Sequence, residues 1–278
     1  MEKYGMVRDA LRASGGFEFV PARLAEAAQI ERTHHPAYVR GFLEGTLDPR
    51  IVRQIGFPWS AGLVRRTLAS VGGSLAAADD AWRTGFGGNL AGGTHHASFA
   101  EGAGFCVFND LAICIHEMRR LGRIVRAAVV DLDVHQGDGT AAIFADDPDV
   151  FTFSMHGRNN YPLRKQRSRL DIDLPDGTGD DEYLRILEEA LPEILAFEPD
   201  MVLFQTGVDG LASDRLGRLA LTHAGLRERD RMVMETARSR GIPLVTTLGG
   251  GYAEPLRDTV EAHANTFRTA REIFEPAP

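Results

Sequence analysis

The chain has 278 residues, 44% of them hydrophobic, with two cysteines and a net charge of −8. That length supplies a well-buried core, and the acidic balance argues against a general nucleic-acid-binding surface. No apolar run is long enough to span a membrane, no signal-peptide pattern opens the chain, and Cys106 and Cys114 sit in apolar surroundings as reduced thiols, which together point to the cytoplasm.

From about residue 60 onward, helical patterns alternate with short apolar runs. This is the pattern of an α/β fold with a doubly wound, mostly parallel sheet and helices on both faces. Periodicity predicts helices over 4–14, 60–84, 109–121, 181–196, 221–240 and 254–272, and strands over 87–91, 124–132, 150–155, 200–206 and 242–248. No repeat, low-complexity tract or long linker divides the chain, so 1–278 reads as one domain. His34 and His35 precede Pro36-Ala37-Tyr38-Val39 and read as residues that fix a helix start. Residues 158–180 show no periodicity and read as a surface loop of the kind that carries function.

Four strand ends deliver polar groups. The first strand runs into Gly92-Gly93-Thr94-His95-His96. Adjacent histidines cannot both face one ligand from a regular element, but they can from a Gly-rich loop. The apolar run Val125–Val130 leads into Asp131-Leu132-Asp133-Val134-His135-Gln136-Gly137-Asp138. Strand alternation puts Asp131, Asp133 and His135 on one face, past the carboxyl end of a buried strand. Two carboxylates and an imidazole so close together are costly without a cation, so a metal site is the simplest reading. A helix N-cap would explain Asp138 and leave Asp131 and Asp133 unexplained. Strand 200–206 ends at Gln205-Thr206-Gly207-Val208-Asp209, and strand 242–248 at Gly249-Gly250-Gly251-Tyr252.

With Gly104-Phe105-Cys106 and Asn109-Asp110 these motifs occur in a fixed order, and the chain resembles the histone deacetylase superfamily, most like its class IV and bacterial members. The resemblance implies the arginase/deacetylase fold and a metal-dependent amidohydrolase that removes an acyl group, acetyl in the first place, from a lysine side chain or a similar amine. It implies that Asp133, His135 and Asp209 hold Zn²⁺, with Fe²⁺ or Co²⁺ also compatible with so oxygen-rich a set. Asp131 then orients His95, and Asp138 orients His96, the first choice for general base and acid. Tyr252 donates to the oxyanion. Gly104 offers its carbonyl to the substrate amide N–H, and Phe105 and Tyr161 wall the acyl channel. A structural K⁺ is implied at Asp131, Asp133, His135, Ser154 and Met155. Gln136 stands where many eukaryotic members have a histidine. Members of the family also begin with a strand upstream of Glu2-Lys3-Tyr4-Gly5-Met6, so one strand is expected to be absent, leaving a neighbour exposed at its edge.

The implied partners are an acylated-lysine protein or peptide, or a small acylated amine, with no direct nucleic-acid contact and no membrane. The sequence leaves the oligomeric state open. Two other readings share the fold. A binuclear manganese ureohydrolase needs a second Asp two residues past Asp209, where this chain has Leu211. A non-catalytic acyl-lysine binding protein has no need of both His–Asp pairs and Tyr252.

Overall fold

A computed structural model describes residues 2–275; Met1 and residues 276–278 of the expected 1–278 span lie outside the described residues. The chain opens with helix α1 (Lys3–Ser14), three short helices α2 (Ala27–Ile30), α3 (Pro36–Glu44) and α4 (Pro49–Ile55), and the long α5 (Ala61–Thr84). Strand β1 (Phe86–Asn89), helix α6 (Asp110–Arg120), strand β2 (Ala127–Asp131), helix α7 (Asp138–Ile143) and strands β3 (Val150–Gly157) and β4 (Leu170–Leu174) follow. Helix α8 (Asp180–Ala196), strand β5 (Met201–Gln205), helix α9 (His223–Ser239), strand β6 (Leu244–Thr247) and helix α10 (Leu256–Phe274) complete the chain.

The six strands form one parallel sheet in the order β1-β6-β5-β2-β3-β4. The central strands have no polar face, because both faces are covered. On one side Ala128, Val130 and Phe204 pack with Leu187 and Leu191 of α8 and Met234 of α9. On the other, Ala127, Val129 and Leu203 pack with Ala77 and Ala78 of α5 and Leu111 and Ile115 of α6. Each buried Leu or Phe in these layers stabilises the fold by roughly 1.5–3 kcal/mol. Strand β2 continues to β3 on one side and lies beside β5 on the other, so the connections diverge there. A crevice forms outside the carboxyl ends of strands at such a point. The register aligns Asp131 with both Ser154 and Gln205, and Gln205 with Thr247, so these strand ends open onto one space. Strand β1 lies at one edge and pairs with β6 alone among the described residues.

The predicted helices and strands are present with small shifts at their ends; five further elements lie outside those ranges, of which only the start of α3 was anticipated. Helices α3 and α4 begin with His35-Pro36 and Asp48-Pro49, where the capping side chain accepts from Ala37 N and Arg50 N respectively. His35 thus starts a helix as expected. Helices α2 and α7 are only four and six residues long, too short to show a period. The expected loop over 158–180 contains β4. Its sequence Leu-Asp-Ile-Asp-Leu alternates strictly, with Asp171 and Asp173 exposed and Leu174 buried. Charged side chains on such an edge strand oppose pairing with another chain.

Candidate active site

The floor of the site is assembled where β2 stops. Strand alternation was expected to carry through to His135, but β2 ends at Asp131 and the chain bends. The bend is held by Asp131 Oδ1, which accepts from Asp133 N at 3.2 Å, and by Asp133 Oδ1, which accepts from His135 N at 3.0 Å. Asp131 stays outside the cluster that follows, its Oδ2 lying 2.6 Å from His95 Nδ1. Asp133 and His135 instead meet Asp209 from the loop after β5, whose Oδ1 accepts from Val134 N at 2.9 Å. His135 Nδ1 lies 3.0 Å from Asp133 Oδ1 and 3.0 Å from Asp209 Oδ2. One ligand atom from each of the three residues falls within 4.8 Å of the others, and among the described residues this is the one such cluster.

The donor set fits a divalent cation. Bonds of about 2.0–2.1 Å to a tetrahedral Zn²⁺ place ligand atoms about 3.3 Å apart, close to the spacing seen. Asp133 and Asp209 are both fully buried. Burial, then the Asp133 charge, push the Asp209 carboxyl up to about 6. Burial opposes charge on His135, yet its two carboxylate neighbours lift it to about 11. A single imidazole between two buried carboxylates leaves negative charge that a dication would balance. Position 211, where a second bridging carboxylate was sought, holds a buried leucine.

Two imidazoles stand above this floor on the loop after β1. Asp110, fully buried at the start of α6, holds that loop by accepting from Gly93 N (3.1 Å), Thr94 N (2.7 Å) and Thr94 Oγ1 (2.6 Å). Asn109 caps α6 through Ala112 N and donates to Ala97 O at 3.1 Å. The backbone N–H of Asn109 donates in turn to His34 Nε2 at 2.8 Å, while His34 Nδ1 lies 2.8 Å from Ser98 O. His34 is therefore a buried brace for this loop, not a helix start. Asn109 and Asp110 were quoted in the sequence without a role, and His34 was expected at a helix start, since only the folded chain shows what these three hold.

The paired His–Asp contacts are formed. His95 Nδ1 lies 2.6 Å from Asp131 Oδ2, and His96 Nδ1 lies 2.6 Å from Asp138 Oδ1. The two rings are 4.1 Å apart, centroid to centroid. Their proton affinities differ. Burial disfavours charge on His95, but Asp131 and Asp133 outweigh it and raise the ring to about 9. Burial and the neighbouring His95 lower His96 to about 4, against the pull of Asp138.

The walls come from loops. Phe105 has φ +66°, a left-handed conformation uncommon for a side-chain-bearing residue, and is fixed by bonds from Gly104 N to Gln54 O (3.1 Å) and Phe105 N to Ile55 O (2.9 Å). Tyr161 stands edge-on to His96 at 4.9 Å. Tyr252 has its N–H on Asp214 Oδ2 at 2.6 Å and its ring 6.3 Å from that of Phe105. The turn before it is held from the far end of the sequence: Lys3 Nζ, buried, donates to Gly249 O (3.1 Å) and Gly251 O (3.3 Å) and lies 5.0 Å from the Tyr252 ring centre. Nothing in the sequence pattern marked Lys3. Together His95, His96, Gly104, Phe105, Asp133, His135, Tyr161, Asp209 and Tyr252 line a cavity of about 470 Å³. Asp131 and Asp138 lie behind the histidines. Ser154 is buried beside Asp131 in the register, and Met155 follows it.

A parallel, doubly wound sheet with an Asp-His-Asp cluster at its central strand ends is the arginase/deacetylase class of α/β protein. The sequence matches the histone deacetylase domain over residues 1–267, and the chain belongs to the histone deacetylase family. It is 49% identical over 253 residues to an uncharacterized protein of Picosynechococcus, covering 91% of this chain and 84% of that one. It is 38% identical over 200 residues to histone deacetylase 2 of Arabidopsis thaliana, covering 69% of this chain and 51% of the relative, so it spans about half that protein's length. The crystal structure of the HDA15 HD domain superposes with a TM-score of 0.79 over 97% of this chain and 83% of that one, at 22% identity, a likeness of fold.

Proposed function

We propose that the chain hydrolyses the amide of an acylated amine, in the first place an acetyl-lysine side chain, as a single-metal deacetylase. The observation that carries this reading is the convergence of the Asp133–His135–Asp209 cluster, both His–Asp pairs and Tyr252 on one cavity. Asp133, His135 and Asp209 hold the metal, Zn²⁺ by first choice and Fe²⁺ or Co²⁺ as alternatives. When bound, the metal supplies Lewis acidity to the amide carbonyl and to the attacking water.

His96 Nε2 takes a proton from the water as its oxygen bonds to the carbonyl carbon. The π electron pair moves onto the carbonyl oxygen, where the Tyr252 hydroxyl donates a hydrogen bond. As C=O reforms and the C–N bond breaks, His96 returns its proton to the leaving nitrogen, giving a carboxylic acid and an amine, and the acid's proton then passes to the amine to leave a carboxylate and an ammonium. A neutral His96 beside a cationic His95 suits that order of events: the first accepts a proton, and the second, held by Asp131, adds positive charge nearby. Phe105 and Tyr161 flank the acyl-bearing chain, and Gly104 O accepts from the substrate N–H. Asp131, Asp133, the His135 carbonyl, Ser154 and the Met155 carbonyl hold K⁺ beneath the floor. The two free, buried thiols Cys106 and Cys114 support a reducing compartment, the cytoplasm.

The test is amine release by metal-reconstituted protein from a panel of acylated lysine peptides and acetylpolyamines, with Asp209→Ala as the control. Turnover that follows metal content and vanishes in the control is expected. A fully metallated protein that cleaves none of these amides would overturn the reading.

A further inference from the structure

We propose that the mouth of this cavity is a docking surface for an acidic polypeptide segment that carries the acyl-lysine; the inference deepens the amidohydrolase reading and rests on it. The first observation is a local reversal of charge. The chain has 39 acidic and 31 basic residues, yet 158–169 contains Arg158, Arg164, Lys165, Arg167 and Arg169 and no carboxylate. Three of these cations serve the fold. Arg158 pairs with Asp173 at 2.5 Å, Lys165 Nζ donates to Asn160 O at 2.7 Å, and Arg169 lies over the Phe197 ring at 4.7 Å. Arg164 and Arg167 are exposed and have no partner among the described residues.

The backbone that carries them is pinned. Gln136, next to His135, accepts from Gln166 N at 2.9 Å and donates to Gln166 O at 2.8 Å. Ser168 N donates to Asp171 Oδ2 at 2.7 Å, and Asn160 donates to Leu216 O at 2.7 Å. Guanidinium groups on a fixed loop lose little backbone freedom when a partner binds.

The apolar surface is concentrated at the same place. Phe105, Tyr161, Leu216 and Tyr252 line the cavity and are still 40–47% exposed, and Leu163, two residues past Tyr161, is 94% exposed. Single exposed apolar residues need no explanation, but several around one opening mark an interaction surface. Charge then selects the occupant. The carboxylates lining the cavity are Asp133 and Asp209, both buried on its floor, and at its rim Arg218 is paired with Asp176 at 3.3 Å, which leaves Arg164 and Arg167, on the loop that carries Tyr161, as the unpaired charges. An acetylpolyamine would bring its second ammonium to a mouth whose neighbouring carboxylates, Asp176 and Asp214, are already engaged by Arg218 and by Tyr252 N, beside a loop whose unpaired charges are cationic. An acidic segment would pair with Arg164 and Arg167, whose loop reaches the cavity through Asn159, Asn160 and Tyr161, while its lysine stem passes between Phe105 and Tyr161.

The test uses fluorescein-labelled acetyl-lysine hexapeptides flanked by Glu, by Ser or by Lys, with N1-acetylspermidine as competitor. Binding is read by anisotropy on metal-loaded His96→Ala protein, and amine release on the wild type. Glu-flanked peptide should bind about tenfold more tightly than Lys-flanked peptide at low salt, with the difference collapsing near 0.5 M NaCl. The ratio should shrink in Arg164→Gln/Arg167→Gln and invert in Arg164→Glu/Arg167→Glu, while Leu163→Ser should weaken all three peptides alike. Equal affinities, a Lys-flanked preference, a ratio untouched by both double variants, or stronger binding of acetylspermidine than of any peptide would overturn the docking surface. A charge preference in binding with no amide cleaved by the wild type would leave the surface standing and remove the hydrolytic reading. Cleavage without charge preference would do the reverse.

Discussion

The floor and the rim of the cavity are built by different means. On the floor, Asp131, Asp133 and Asp209 are buried and each carboxylate has a backbone or side-chain partner within 3.2 Å. At the rim, Phe105, Tyr161, Leu216 and Tyr252 are half exposed and come from four separate loops. A buried, fully bonded polar set tolerates almost no change, because losing one member strands the others in low dielectric. A loop-borne apolar wall tolerates much more. The floor therefore fixes a chemistry, and the rim is where one such protein can differ from another.

Substitutions on the floor should have the largest effects. Asp133→Ala, His135→Ala and Asp209→Ala should each abolish metal retention and turnover together, since two ligands make an incomplete shell. Full occupancy in any of the three, by elemental analysis, would falsify that residue's assignment. His96→Ala should slow turnover by roughly 10²–10⁴-fold with metal retained, and His95→Ala by less. If His95→Ala is the more damaging, the roles of the pairs are exchanged. Tyr252→Phe should keep fold and metal and lose roughly 10²–10³-fold in turnover. Turnover near that of the wild type would point to another oxyanion donor.

A subtler effect separates the scaffold from the chemistry. His34 is buried, and burial lowers its pKa to about 4, from an ordinary value of 6.5. The unfolded chain binds that proton first, so the His34 contribution is fully present above pH 6.5. It declines as pH falls through the 6.5-to-4 window, by about 3 kcal/mol at most. Urea midpoints measured across that window should show the decline, and His34→Gln, which keeps an acceptor for Asn109 N, should flatten it. Identical slopes for the two proteins would assign the loss to other groups. The rim should show the smallest changes. Phe105→Ala or Tyr161→Ala should raise KM by about tenfold or less and leave kcat nearly intact, the sign of lost uniform binding. A large fall in kcat for either would move that ring from the wall into the chemistry.

The same division explains what could be read from the sequence. Buried parallel strands are continuous apolar runs, and polar residues at their ends stand out, so Asp131, Asp133, His135 and Asp209 were visible at once. The bend after Asp131 was not, because strand alternation cannot foresee where a strand stops. Asn109, Asp110 and His34 act through backbone groups distant in sequence, and no local pattern shows such partners. Strand β4 carried its period-two signal in Leu170–Leu174, obscured by the basic run before it. The rim rings are ordinary aromatic residues until the loops are folded, which is why Tyr161 could be proposed only by resemblance.

The contact of Lys3 with Gly249 and Gly251 spans 246 and 248 positions of the chain. A ribosome adding 5–20 residues per second makes the two ends of that contact roughly 12–50 s apart. Through that interval Lys3 has no seat, and α1 waits for the helix α10 against which it packs. Closure at such separation belongs to the slow end of folding topologies. The turn that presents Tyr252 therefore reaches its final form only once the chain has emerged past residue 251, so this wall of the cavity is among the last parts to settle.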